Sequence, residues 1–230
     1  MGKIFDKLST DIRFQEGLKA CINCGTCTAI CPAAQFYDYD PRLIVNIVQS
    51  RNDDDILDLL KSNTIWMCGE CLSCKTRCPR NNTPAYIIQA LRALSVETGA
   101  FVESEKGRQQ LAVKRTVGEH ILKYGYCVYI DEVNTDMYPE QGPVWDWLKA
   151  NKEKVLERIH TQYKTNNAGT LRNIPLESLE ELKRIFDETG ATERFDKIEK
   201  FSAVKAAELG LEFGNGVKDE YFNFVYNKSK

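Results

Sequence analysis

Cys21, Cys24, Cys27 and Cys31, closed by Pro32, recur as Cys68, Cys71, Cys74 and Cys78, closed by Pro79; this duplicated Cys-x2-Cys-x2-Cys-x3-Cys-Pro spacing constrains the chain more than any other feature. Three thiolates on one tight loop can hold three corners of an iron–sulfur cubane, and the fourth iron needs a sulfur from elsewhere. In two-cluster ferredoxins the fourth cysteine of each run serves the other cluster. The spacing therefore predicts two [4Fe-4S] clusters with crossed ligands: Cys21, Cys24, Cys27 and Cys78 on one, and Cys68, Cys71, Cys74 and Cys31 on the other. Zinc also binds Cys-x2-Cys, but zinc ribbons use two such pairs, without the third cysteine and the Cys-Pro. Gly25 and Gly69 lie inside the loops, where a missing side chain lets backbone N–H groups approach the cluster sulfurs. Each proline ends its loop by fixing φ and removing a donor.

The remaining composition says where such a chain works. Thirty-one basic against thirty-three acidic side chains leave a net charge of -2, which favours a protein partner over a polyanion such as nucleic acid. The N-terminal Met1-Gly-Lys-Ile-Phe-Asp-Lys-Leu places charges where a secretory signal needs an apolar run. Nowhere do about 18 apolar residues follow one another, as a membrane-spanning helix requires. A cytoplasmic protein with reduced, metal-binding thiols is expected.

The stretch between Cys31 and Cys68 is longer than a β-hairpin ferredoxin needs, and its pattern is helical. Pro41 opens a segment with Leu43, Ile44, Ile47 and Val48 on one face, and Asn52 introduces a second with Ile56, Leu57, Leu59 and Leu60. Pro84 opens a third through Ile87, Ile88, Leu91 and Leu94, which stops near Gly99. This mainly α pattern predicts an α-helical ferredoxin domain with connector over residues 1–142. A helical C-terminal extension follows over 143–230, with Val144, Trp147, Leu148, Val155 and Ile159 at helical spacing. Pro175 to Phe186 forms a further helix that Gly190 caps, and Thr192 N-caps another. The aromatic tail Tyr221-Phe-Asn-Phe-Val-Tyr is expected to dock on the extension. Cys127, within Tyr124-Gly-Tyr-Cys-Val-Tyr-Ile130, is expected in a short buried strand. His120 and His160 have no ligand spacing around them and are not site candidates.

No Gly-x-Gly-x-x-Gly, phosphate loop or Cys-Cys pair occurs, and no nucleophile or acid–base pair stands out. No catalytic residue is assigned; the chain reads as an electron relay. Cys21-Ile-Asn-Cys-Gly-Thr-Cys-Thr-Ala-Ile-Cys-Pro and Trp66-Met-Cys-Gly-Glu-Cys-Leu-Ser-Cys-Lys-Thr-Arg-Cys-Pro-Arg80 resemble the C subunit of heterodisulfide reductase over about Glu16 to Gly99. The resemblance implies an α-helical ferredoxin with two [4Fe-4S] clusters. It implies electron transfer between a flavin-bearing A subunit and a B subunit with Cys-Cys-Gly motifs, hence a hetero-oligomer. Trp66 and Arg80 match the pattern as packing or cluster-shielding residues. The extension makes the longer heterodisulfide reductase-like proteins of sulfur metabolism the expected match. The alternative is the iron–sulfur subunit of a quinone-linked dehydrogenase of the glycerol-3-phosphate or glycolate type, with Trp66 lining a quinone pocket.

Overall fold

The computed structural model describes residues 3–227, which form helices and, among the described residues, no strand. Two short helices, α1 (Lys3–Ser9) and α2 (Ile12–Gly17), lead to the first cysteine loop, whose single helical turn is α3 (Thr26–Ala29). The pair α4 (Pro41–Ser50) and α5 (Asp53–Lys61) fills the stretch between the motifs. The second loop carries α6 (Ser73–Arg77) and runs into α7 (Pro84–Thr98), the central helix of this half.

Local chemistry sets these boundaries. Asp40 caps α4 by accepting from the Arg42 and Leu43 amides, with Pro41 at the first helical position, where its missing N–H costs nothing. Asn52 caps α5 by accepting from the Asp54 amide, and three aspartates follow in its first turn, on the positive end of the helix dipole. Gly99 ends α7 in the left-handed conformation at φ 81°.

The apolar faces of α1, α2, α4, α5 and α7 meet in one core. Ile56, Leu60, Ile87, Ile88 and Leu91 are fully buried there. Burial of each such side chain contributes roughly 1.5–3 kcal/mol. Cys21, Cys31 and Cys68 pack on the rim of this core, so the ligand loops rest on a rigid floor. Ser95, also fully buried, donates to the Leu60 carbonyl at 2.7 Å and ties α7 to α5.

A second core lies beyond α7. Short helices α8 (Glu105–Arg108) and α9 (Gln110–Val113) lead through a π-helical turn at Lys114–Gly118 into α10 (Glu119–Tyr124). After α11 (Gly142–Ala150) and α12 (Lys152–Arg158) come α13 (Leu176–Glu188), α14 (Ala191–Leu209) and α15 (Glu220–Asn227). Phe101, Leu111, Ile198, Ala206, Tyr221 and Phe222 form this core, so the aromatic tail is buried inside the chain and rests on Leu111 of α9 as well as on α14. Arg115, in the π-turn, clamps it. All five guanidinium N–H groups are used: on both Glu199 oxygens at 2.9 and 2.7 Å, Asp219 at 2.7 Å, and the Gly214 and Gly216 carbonyls at 2.6 and 2.7 Å.

Two local expectations are corrected. Residues 124–130 form no strand: α10 runs through Tyr124, Gly125 ends it at φ 74°, and the Tyr124 and Tyr129 rings stack at 4.1 Å. No neighbouring strand is there to pair with, and a lone strand leaves its backbone groups unsatisfied. Cys127 consequently stands exposed. Thr192 lies inside α14 instead of capping it and donates to Asp187 at 2.5 Å.

Candidate iron–sulfur site

The two cysteine runs fold as structural twins. In the first, Asn23 (φ 58°) and Gly25 (φ 80°) take left-handed conformations, and in the second Glu70 (φ 54°) and Leu72 (φ 60°) do so at the same places. The Asn23 amide donates to the Cys21 sulfur and the Glu70 amide to the Cys68 sulfur, each at 3.4 Å. Cys24 pairs with the Thr26 hydroxyl and Cys71 with the Ser73 hydroxyl, again each at 3.4 Å. The single-turn helices α3 and α6 pack against each other, which sets the twins face to face.

Polar links cross between the runs. Asn82, buried just after the second run, accepts from the Lys19 amide at 2.6 Å, and Thr83 donates its amide to the Gly17 carbonyl at 2.8 Å. Any Cβ on Gly17 would come within 3.0 Å of Ile87 and Tyr86, so glycine permits this approach of α2 to α7. Cys78 is thereby drawn to the first loop. The Gln49 side chain holds the Cys21 amide at 2.8 Å. Arg92 of α7 braces the second loop through the Ile65 and Cys68 carbonyls, each at 2.7 Å, and Glu70 at 2.6 Å.

The result is two small hollows of similar size. Cys21, Cys24, Cys27 and Cys78 line the first, with Ile22, Val45 and Pro79; Cys31, Cys68, Cys71 and Cys74 line the second, with Tyr39, Leu72 and Ile88. Pro84, at the start of α7, belongs to the wall of both. The structure thus brings the eight predicted cysteines together four by four.

The donor chemistry fits a multi-iron cluster. Among the described residues no three histidine, cysteine or carboxylate groups converge as a site for one metal ion; the sulfurs are spread around a hollow instead. Gly25 and Gly69 both line the hollows, and a Cβ on either would meet no protein atom within 4 Å. Protein packing therefore does not demand a glycine at 69. The Tyr39 hydroxyl is buried in the second hollow's wall without a hydrogen-bond partner. A buried donor left so costs about 1–3 kcal/mol, unless something in the hollow accepts from it.

Electrostatics differ within each loop in the same way. Burial pushes the Cys27 thiol up to about 11 and raises Cys74, whereas the Thr26 and Ser73 hydroxyls hold Cys24 and Cys71 below the ordinary thiol value. Metal coordination deprotonates a thiol outright, whatever its value in the metal-free chain. Burial first, then the neighbouring Cys68 sulfur and its contact with the hydroxyl, raise the Tyr39 phenol above its usual pKa, so it keeps its proton.

Sequence reasoning missed Tyr39, Asn82 and Arg92. Asn82 had a signal in hindsight: it stands two residues before the helix-opening Pro84, as Tyr39 stands two before Pro41. Trp66 borders a cleft with Arg13, Glu70, Gln89, Arg92 and Arg194, a charged setting, and Arg92 lies over its ring at 5.6 Å. Arg80 lines the first hollow. His120 packs edge-on against Tyr124 and His160 is exposed, both away from the hollows.

A helical scaffold with twinned four-cysteine loops defines an iron–sulfur electron-transfer protein, and residues 17–82 match the family described as the 4Fe-4S dicluster domain. The chain is 35% identical over 195 residues to the C subunit of the ferredoxin:CoB-CoM heterodisulfide reductase of Methanosarcina acetivorans, covering 85% of this chain and 70% of that protein. It is 31% identical over 150 residues to an iron-sulfur C subunit, numbered 2, of the CoB–CoM heterodisulfide reductase of Methanocaldococcus jannaschii, covering 65% and 74%. With the iron-sulfur C subunit of the Methanopyrus kandleri enzyme it shares 31% over 158 residues, 67% and 74% of the two chains. The chain belongs to the family of heterodisulfide reductase C subunits. The 195-residue likeness runs well beyond Gly99, where the motif resemblance ends. No helix among the described residues is long and apolar enough to cross a membrane.

Proposed function

We propose that this chain relays electrons through two [4Fe-4S] clusters within a heterodisulfide reductase-like complex, between a flavoprotein like the family's A subunit and a Cys-Cys-Gly protein like its B subunit. Cys21, Cys24, Cys27 and Cys78 ligate one cluster, and Cys31, Cys68, Cys71 and Cys74 the other. The observation that carries this reading is the pair of four-sulfur hollows sharing Pro84, each taking its fourth sulfur from the opposite loop.

Bound there, the clusters supply one-electron carriers at adjoining positions. The protein's part is to orient and insulate. Gln49, Asn82 and Arg92 fix the loops, the apolar walls limit water, and exposed Ile22 leaves an edge of the first hollow available to a partner. In this non-catalytic role the chain contributes no acid, base or nucleophile of its own.

The terminal reaction belongs to the partner. The relatives' names specify the CoB–CoM heterodisulfide, whereas the related complexes of sulfur metabolism act on other sulfur substrates. The extension's length does not separate these possibilities, because a methanogen's C subunit matches over 195 residues. Anaerobic affinity purification of the tagged chain from its native cells tests the relay. Co-purification of a flavoprotein and a Cys-Cys-Gly protein at matching stoichiometry is expected. Recovery of a membrane-bound quinone-linked dehydrogenase in their place would overturn it.

A further inference from the structure

The two hollows are twins in their sulfurs but not in the polar group that overhangs them. Asn82 at the first hollow is fully engaged: its carbonyl oxygen accepts from the Lys19 amide, its backbone N–H donates to the Cys78 sulfur at 3.3 Å, and its side-chain amide approaches the same sulfur at 3.7 Å. Tyr39 holds the corresponding place at the second hollow. It is only 4% exposed, it lines the wall with Cys31, Cys68, Cys71 and Cys74, and its hydroxyl makes no well-formed hydrogen bond within the chain but lies beside the Cys68 sulfur.

A buried hydroxyl facing sulfur has one useful acceptor, a sulfur that carries negative charge. Reduction by one electron adds charge to the cluster without making or breaking a bond, and that charge spreads over sulfide and thiolate. A donor hydrogen bond stabilises the reduced form more than the oxidised form, and so raises the reduction potential. Resting on the ligand assignment above, we propose that the Tyr39 hydroxyl donates to a sulfur of the cluster held by Cys31, Cys68, Cys71 and Cys74 and raises its potential. Tyr39 is thus a positioning and tuning residue for one cluster only. The two stations of the relay differ in potential by a device that lies outside the cysteine motifs.

The test is a redox titration followed by electron paramagnetic resonance on the full chain with its clusters loaded anaerobically. Two control variants, Cys71→Ser and Cys24→Ser, identify which signal belongs to which hollow. In Tyr39→Phe, iron and acid-labile sulfide should stay at the wild-type level. The signal that Cys71→Ser removes should become about tenfold less reduced at a fixed potential, a shift of about 59 mV for one electron. The signal that Cys24→Ser removes should not move. A second measurement needs no substitution: growth on 3-fluorotyrosine gives a stronger phenol donor, and only the second cluster's potential should rise. If neither signal shifts, or both shift alike, Tyr39 does not tune the cluster while the ligand assignment stands. If the cysteine variants fail to remove separate signals, the ligand assignment falls and this proposal falls with it.

Discussion

The two cysteine loops have the same backbone and different surroundings. Both place a left-handed residue after the first cysteine, both turn one amide onto that cysteine's sulfur, and both give the second cysteine a hydroxyl neighbour. They part at two points. The first loop has Gly25 where the second has Leu72, and Asn82 overhangs the first hollow where Tyr39 overhangs the second. The shared features give the two loops the same presentation of their cysteines. The differences are where the protein can make two chemically identical clusters unequal.

The largest way to break the comparison is to remove a ligand. Cys24→Ser and Cys71→Ser should each halve the iron and acid-labile sulfide of the anaerobically purified chain, and each should leave the other cluster's signal in place. Equal loss of both signals from one substitution would contradict the separate ligand sets.

Next comes a control outside the loops. Arg115→Met leaves Asp219 without its buried cation and Glu199 with Lys114 alone, and the removal of one partner of such a pair costs about 3–5 kcal/mol. Hydrogen exchange should report that loss in α14 and α15, with both hollows still loaded equally. Acid does the same more gradually. Burial raises the Glu199 carboxyl, but Arg115 and Lys114 outweigh it and leave its pKa lowered. Its stabilisation is therefore present above the unfolded value of about 4.3 and fades as pH falls through the lower folded value. Exchange protection of α14 should weaken over that range, and the Arg115→Met chain should show a flatter profile.

The smallest effects sharpen the comparison at the left-handed positions. Gly25→Ala meets no protein atom, so in the chain without its cluster only backbone strain counts, about 1–2 kcal/mol by chemical denaturation. Leu72→Gly relieves comparable strain but loses a half-buried side chain and gains freedom in the unfolded chain, so it should fall within about 1 kcal/mol of neutral.

Much of the site was legible because cluster chemistry fixes residue type and spacing. Eight cysteines at fixed intervals have few other uses, and Pro41, Asn52, Pro84 and Gly99 mark helix ends by mechanisms local to the chain. What stayed hidden depends on tertiary placement. Tyr37 and Tyr39 are two residues apart, and nothing in the sequence says that the first is exposed under Lys106 while the second is buried against sulfur. Arg115 reads as one more surface cation until the π-turn and the tail close over it. The aromatic run around Cys127 satisfied a strand pattern, but its tyrosines stack on one another because no strand is available to receive them.

The crossed pairing of ligands is the centre of the account, and paired cysteine substitutions read by electron paramagnetic resonance test it directly. Cys78→Ser should abolish the same signal as Cys21→Ser, and Cys31→Ser the same signal as Cys68→Ser. If Cys78→Ser instead abolishes the signal lost in Cys68→Ser, each run holds its own cluster and the crossed arrangement is wrong.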